Sequence, residues 1–184
     1  MLFSPISKLT IVLLLLGSII AAPINDLADS GLVRRVPISP GQRAAALNVA
    51  KQIKNKLRPQ PNQAVFWSGQ KVGLNGKTMS VKADAQKWAK TNGKETINQG
   101  LAKHNIKIPP MRKNPASDRL WDVASKAWAV RAKGETNAIV GNRRPGNVYD
   151  RVEKPALLKN PNVNKIVEHD RNSGTSSTVH EKKP

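Results

Sequence analysis

A small exported chain without a single cysteine must be held together by packing alone, and that constraint governs what this sequence can become. The export signal stands at the start. Lys8 precedes an apolar run from Leu9 to Ile20 with four consecutive leucines, and Ala21 and Ala22 offer a cleavage site. The run is too short and wrongly flanked for a membrane span, so residues 1–22 are expected to be a secretory signal peptide and the product to be secreted. Leu32-Val33-Arg34-Arg35 adds a dibasic site, which makes residues 23–35 a candidate pro-segment. With no cysteine there is also no thiol nucleophile and no thiolate metal site, and no Asn-x-Ser/Thr glycan acceptor occurs.

Trimming at both sites would leave 149 residues, enough for one domain with a single core. The product keeps 28 basic and 10 acidic residues, a net charge of about +18, so the basicity belongs to the folded part. Charge of this size favours anionic partners such as nucleic acid, an acidic surface or a phosphorylated small molecule, without choosing among them.

Ser39-Pro40 is a helix start, followed by Ala45, Ala46, Val49, Ala50, Ile53 and Leu57 at helical spacing. Ala64 to Trp67 reads as a buried strand and Gly69 to Lys77 as a loop. Further helices are expected over Val81–Ala89, from Thr96 to His104 with Glu95 at its opening, and from a Ser117 cap to Ala132. Thr136 to Val140, Val148 to Val152 and Val163 to Val167 read as strands, with Pro155 to Pro161 a connection. From 169 to 184 the chain is polar and Ser/Thr-rich, which predicts a disordered tail. The expected fold is therefore α/β (or α+β), with N-terminal helices followed by a small, mainly parallel sheet with flanking helices, in a single domain over residues 36–168.

Four places carry chemistry. Trp67 ends an apolar strand, which core packing would explain, but Ser68-Gly69 then leave for a loop, where binding residues gather. Trp121 and Ser125 share a helix face at i, i+4, a stripe that Trp128 and Ala132 continue; Ser125 is a polar interruption that an apolar stripe does not need. Glu153 follows the run Tyr149-Asp150-Arg151-Val152, and its bland reading is a salt bridge with one of many lysines. Glu95 has an equally good bland reading as a first-turn acid. Trp88 and Trp128 are assigned to the core.

Taken in order, Phe66-Trp67-Ser68, Glu95-Thr96, Trp121-x-x-x-Ser125 and Tyr149-x-x-x-Glu153 resemble the ADP-ribosyl cyclase/NAD glycohydrolase family. The resemblance spans roughly Ala64 to Val167 and implies an ADP-ribosyl cyclase-like fold and an NAD-cleaving enzyme. It implies Glu153 as the catalytic glutamate, Trp67 and Trp121 as walls of a nicotinamide pocket, and Ser68 and Ser125 as polar contacts near ribose and phosphates. It makes Glu95 the acid that biases hydrolysis against cyclisation, and puts Tyr149 among the substrate-binding residues. Departures are specific: animal members are disulfide-rich, and Gly69 stands where they can place a basic phosphate contact. Glu95 lies farther from Trp67 than the family pattern expects. The chain is more similar to a shorter, cysteine-free, secreted microbial type with a toxin-like role.

On that resemblance NAD is the substrate, no cofactor or metal is called for, and an inhibitory immunity-type protein is an expected partner. Lys71, Lys77, Arg143 and Arg144 are candidate pyrophosphate contacts. The chief rival is a secreted cationic nuclease or nucleic-acid binder, for which the charge and four tryptophans speak. His104, His169 and His180 are badly placed for its acid/base pair, so no specific nucleic acid is expected. A membrane-active effector lacks a clear amphipathic helix. Transfer of ADP-ribose to protein shares the same first half-reaction and stays open.

Overall fold

The computed structural model describes residues 37–73 and 75–183, and residues 36–184 cluster as one unit. The expected signal peptide and pro-segment lie outside the described residues. Helix α1 (Pro40–Lys56) begins at Ser39, whose hydroxyl accepts from the Gln42 amide while the Gln42 side chain returns to the Ser39 amide, a reciprocal capping box. Its far end is closed by a distant cation. The Arg131 guanidinium donates to the carbonyls of Ile53, at 3.2 Å, and Leu57, at 2.9 Å, and also to that of Lys54.

Strand β1 (Ala64–Ser68) is the centre of the fold. It pairs in parallel with β4 (Glu95–Thr96) on one side and with β5 (Gly134–Val140) on the other. β5 pairs in parallel with β6 (Val163–Asp170), and β7 (Ser176–Glu181) closes the edge antiparallel, giving the order β4-β1-β5-β6-β7. Strand alternation sorts the core into two layers. Val65, Trp67 and Ile139 face helix α2 (Lys82–Thr91) through Val81, Ala85 and Ala89. Ala64, Phe66, Ala138 and Val140 face the other way, toward α1, α3 (Ile97–Lys103), α4 (Ser117–Arg131) and α5 (Lys154–Lys159). Trp128 is fully buried there and lies so close to Gly100 that a Cβ on Gly100 would come within 2.6 Å of its ring. The expected α/β class, with helices flanking a mainly parallel sheet, is what the chain adopts.

Where cysteines are missing, side-chain amides take over. Asn160 Nδ2 points at the carbonyls of Ala129, Val130 and Ala132, between 2.9 and 3.0 Å, closing α4 against the start of β6.

Several expected boundaries are corrected. The expected loop gives way to a hairpin, β2 (Gln70–Val72) against β3 (Thr78–Ser80). Glu95 lies in β4 rather than in the helix, which Thr96 caps with its own capping box. The cap position of α4 is Ala116; Ser117 is already helical and its hydroxyl donates to the Pro109 carbonyl. The run Val148 to Val152 is not a strand. Tyr149–Glu153 forms a π-helical segment, and 155–161 is mostly α5 rather than a connection. Buried residues four apart satisfy both a two-residue and a helical period, so Tyr149 and Glu153 alone do not separate the two; Arg151, which a two-residue period would bury with them, is exposed, as a helix allows. The expected disordered tail instead carries β7. Its Ser/Thr/Val composition suits an edge strand, Val179 packs on the core, and Lys165 pairs with Glu181 at 3.2 Å.

Candidate active site

The connections out of the adjacent strands β1 and β5 diverge: β1 runs on to α2 over one face of the sheet, and β5 runs on to the π-helical segment and α5 over the other. In open parallel sheets such a divergence leaves a crevice beyond the carboxyl ends of the strands. Here the crevice is a cavity of about 430 Å³, lined from the end of β1, the β2–β3 hairpin, the starts of α2 and α3, the α4 face, the residues past β5 and the π-helical segment.

Six of the seven residues singled out from sequence line it: Trp67, Ser68, Trp121, Ser125, Tyr149 and Glu153. The two tryptophans come from opposite directions, one from a strand end and one from α4. The Trp67 ring is fixed by its Nε1–H, which donates to Asn98 Oδ1 at 3.1 Å. Gly69 turns the chain out of β1 with φ of +95°, and any Cβ there would lie 2.8 Å from the Asn142 carbonyl oxygen, so no side chain can be offered from that position.

Glu153 is the one carboxylate among the lining residues. It is only 5% exposed, and burial pushes its pKa up to about 7; the hydrogen bond from Ser125 opposes the rise, and the nearby Asp122 charge adds to it. Asp122 is itself held by Arg151 through two bonds of 2.7 and 2.9 Å, joining α4 to the π-helical segment. Ser68 donates to Asn147 Oδ1 at 2.9 Å, while Asn147 Nδ2 reaches Asp150 at 2.6 Å and the Arg144 carbonyl at 2.9 Å. Asn147 thus ties the end of β1 to the segment that presents Glu153. Tyr149 contributes its ring to the wall and turns its hydroxyl away, donating to Glu168 at 3.1 Å. Burial, and then the Glu168 charge, hold that phenol far above its ordinary pKa.

The seventh residue is elsewhere. Glu95 does not line the cavity; its carboxylate faces Lys103 at 3.9 Å, with one oxygen buried and unpartnered. The two-residue strand that carries it places it beside Ala64, short of the strand ends where the cavity opens. The expected cations divide likewise. Lys71 is paired with Asp84 at 2.7 Å, and Arg143 lies 3.3 Å from Asp150 and 3.4 Å from Glu168. Lys77 is not in the lining, whereas Arg144 is. Lys82, Asn98 and Asn147 were not anticipated. Lys82 and Asn98 stand in the first turns of α2 and α3, and Asn147 two residues before the π-helical segment, and no motif marks them.

Among the described residues no three His, Cys, Asp or Glu gather as a metal site would require, and no helix is long and apolar enough to cross a membrane.

No family model and no curated protein matches the sequence. Solved structures similar to it include Aplysia cyclase complexed with the substrate NGD and the product cGDPR, at 22% identity and a TM-score of 0.43 over 67% of this chain and 54% of that one. An ADP-ribosyl cyclase complexed with N1-cIDPR matches at 21% identity, with a TM-score of 0.41 over 58% of this chain and 48% of that one. A glutamate-to-alanine mutant of ADP-ribosyl cyclase gives 22%, 0.42, 58% and 48%. The chain spans about half the length of these structures. Likeness at this level assigns no residue a role.

Proposed function

We propose that this protein is an exported NAD glycohydrolase that cleaves the nicotinamide–ribose bond to give nicotinamide and ADP-ribose. The observation that carries the reading is Glu153: a lone, buried carboxylate in a cavity walled by two tryptophans. Ordinary glycosidases need two carboxyl groups, one to protonate the leaving oxygen. A pyridinium needs no such acid, because it departs as a neutral base. One carboxylate then suffices, placed to stabilise the oxocarbenium ion in a site shielded from water.

The tryptophan faces favour a cationic ring within about 6 Å. Ser68 and Ser125 are buried hydroxyls in the cavity lining, suited to the ribose. As the glycosidic bond breaks, its electron pair leaves with nicotinamide; water then adds to the anomeric carbon and releases one proton. Glu95 does not line the cavity, so the balance between water and an internal nucleophile, and with it any cyclic ADP-ribose, is left to the cavity walls.

A nuclease reading finds less support. Neither His104, His169 nor His180 lines the cavity; His169 bonds Ser176 and Asn137, each at 2.8 Å, on the β6–β7 side. Export, a toxin-like role and an inhibitory protein partner belong to the same proposal: an enzyme that destroys NAD endangers the cell that makes it. Incubating the trimmed protein with NAD and resolving nicotinamide, ADP-ribose and cyclic ADP-ribose tests the reading. Nicotinamide release that disappears in Glu153→Gln is expected; undiminished release from that folded variant refutes the assignment.

A further inference from the structure

The cavity is electrostatically polarised along its depth. Glu153, Ser125, Ser68 and Tyr149 are buried, whereas Gln70, Ser80, Asn142 and Arg144 are exposed and Lys82 is half-buried. A negative floor therefore faces a mouth that carries two cations.

Those two cations differ from their neighbours. Lys71 and Arg143, each beside a lining residue in sequence, are both occupied by carboxylates. Among the described residues neither Lys82 nor Arg144 lies within ion-pair distance of an acid, and both line the cavity. Lys82 has only a π-face for company, with Nζ 5.9 Å from the centre of the Trp67 ring. Arg144 is held by its backbone: its carbonyl accepts from Asn147 Nδ2 at 2.9 Å, which anchors the loop and leaves the guanidinium free to turn. Position 69, the nearest backbone site beyond Ser68, can offer no side chain because a Cβ would strike the Asn142 carbonyl.

We infer that Lys82 and Arg144 form the anion-recognition site of this cavity and make it selective for a substrate with a cationic end and a diphosphate, over the uncharged-tail nucleoside. This deepens the NAD reading and rests on it for the identity of the substrate. Depth and sign fit one orientation: the pyridinium goes down to Glu153 between Trp67 and Trp121, and the diphosphate stays at the mouth. Arg144 presents a planar fork suited to two phosphate oxygens, and Lys82 a point charge on a flexible stem. With Asn142 and Gln70 beside them, the pair can meet both phosphates without either cation leaving solvent contact entirely.

The test compares nicotinamide release from NAD and from nicotinamide riboside by the wild type, Lys82→Ala, Arg144→Ala, the double variant, and Lys77→Ala as a same-charge control outside the cavity. Isothermal calorimetry with inorganic pyrophosphate runs in parallel. For NAD, each single variant should raise KM on the order of 10-fold and the double variant on the order of 100-fold, the scale of charged hydrogen bonds lost. Release from the riboside should be unchanged in all, and Lys82→Arg should recover most of the NAD loss. Pyrophosphate binding should be present in the wild type and the Lys77 control and absent in the double variant. Unchanged NAD KM with unchanged pyrophosphate binding in the folded double variant overturns the inference, as does equal loss on the riboside. If the wild type binds pyrophosphate through these residues but cleaves neither substrate, the anion site stands and the NAD reading falls.

Discussion

Two buried glutamates, fifteen residues apart in sequence, have opposite surroundings. Glu168 on β6 is surrounded by complements: Lys154 Nζ at 2.9 Å, Arg143 at 3.4 Å and the Tyr149 hydroxyl at 3.1 Å. Glu153 has one hydroxyl, Ser125, and a second negative charge nearby in Asp122. A chain with so many lysines could have paired both. That it pairs one and leaves the other at the bottom of a cavity separates a carboxylate that holds the structure from one kept available, because an unpaired buried carboxylate is costly unless something else needs it.

The largest expected effect breaks the comparison at its functional end. Glu153→Gln keeps the shape and removes the charge, so kcat for nicotinamide release should fall by about 10³-fold, in line with losing an electrostatic contact to a developing cation. Circular dichroism should be unchanged. A fall of less than tenfold would mean that Glu153 is merely another packed polar residue. Glu168→Gln is next and should act on stability instead. Removing one partner of a buried pair typically costs about 3–5 kcal/mol, and partial exposure of Lys154 and Arg143 should reduce this to roughly 2–3 kcal/mol. Thermal unfolding would read this as a drop in Tm of several degrees. If Glu168→Gln instead abolished turnover at full stability, the division of roles would be reversed.

The third expectation is a pH effect. With its pKa raised to about 7, Glu153 is largely protonated in the free protein at pH 6 and ionised at pH 8. If the ionised form is the active one, kcat/KM for NAD should climb about tenfold per unit below pH 7 and level off above it. Stability should move the other way. The folded state holds its proton above the ordinary value of 4.5, so the group's contribution is complete below that value and is lost as pH rises toward 7. Glu153→Gln should flatten the activity profile and make Tm less sensitive to pH between 5 and 8.

How much of this was legible beforehand follows from what each signal depends on. Trp67-Ser68 and Trp121-x-x-x-Ser125 were readable because a strand end and an i, i+4 helix face are local. The mainly parallel sheet is expected from the sequence as helices followed by strands, whereas strands and helices alternate along the chain. Glu153 falls in the lining although its backbone is π-helical rather than extended, because four-residue spacing puts Tyr149 and Glu153 on one side in either conformation. The division of the cations was not legible. Whether Lys71 or Lys82 is free depends on Asp84 standing opposite one of them, a consequence of the β2–β3 hairpin and the start of α2 rather than of any motif. Glu95 falls outside the cavity for the converse reason: a two-residue strand stops it short of the strand ends. The tail was misjudged because composition reports an inability to form a core, while an edge strand needs only hydrogen bonds and one anchor such as Val179.

The smallest expected effect is the sharpest on the comparison, because Tyr149 touches both sides of it. Its ring lines the cavity near Glu153 and its hydroxyl donates to Glu168. The phenol's raised pKa keeps it protonated throughout any practical pH range, so it is a fixed donor and has no proton to give the reaction. Tyr149→Phe should therefore leave the wall intact and remove one bond from the Glu168 cluster. A loss of about 1 kcal/mol in stability is expected, the net worth of an ordinary hydrogen bond, with kcat for NAD within threefold of wild type. A stability loss with intact turnover keeps the two carboxylates independent. Turnover falling as far as in Glu153→Gln would mean that the Glu168 cluster sets the geometry of the π-helical segment, and through it the position of the Glu153 carboxylate.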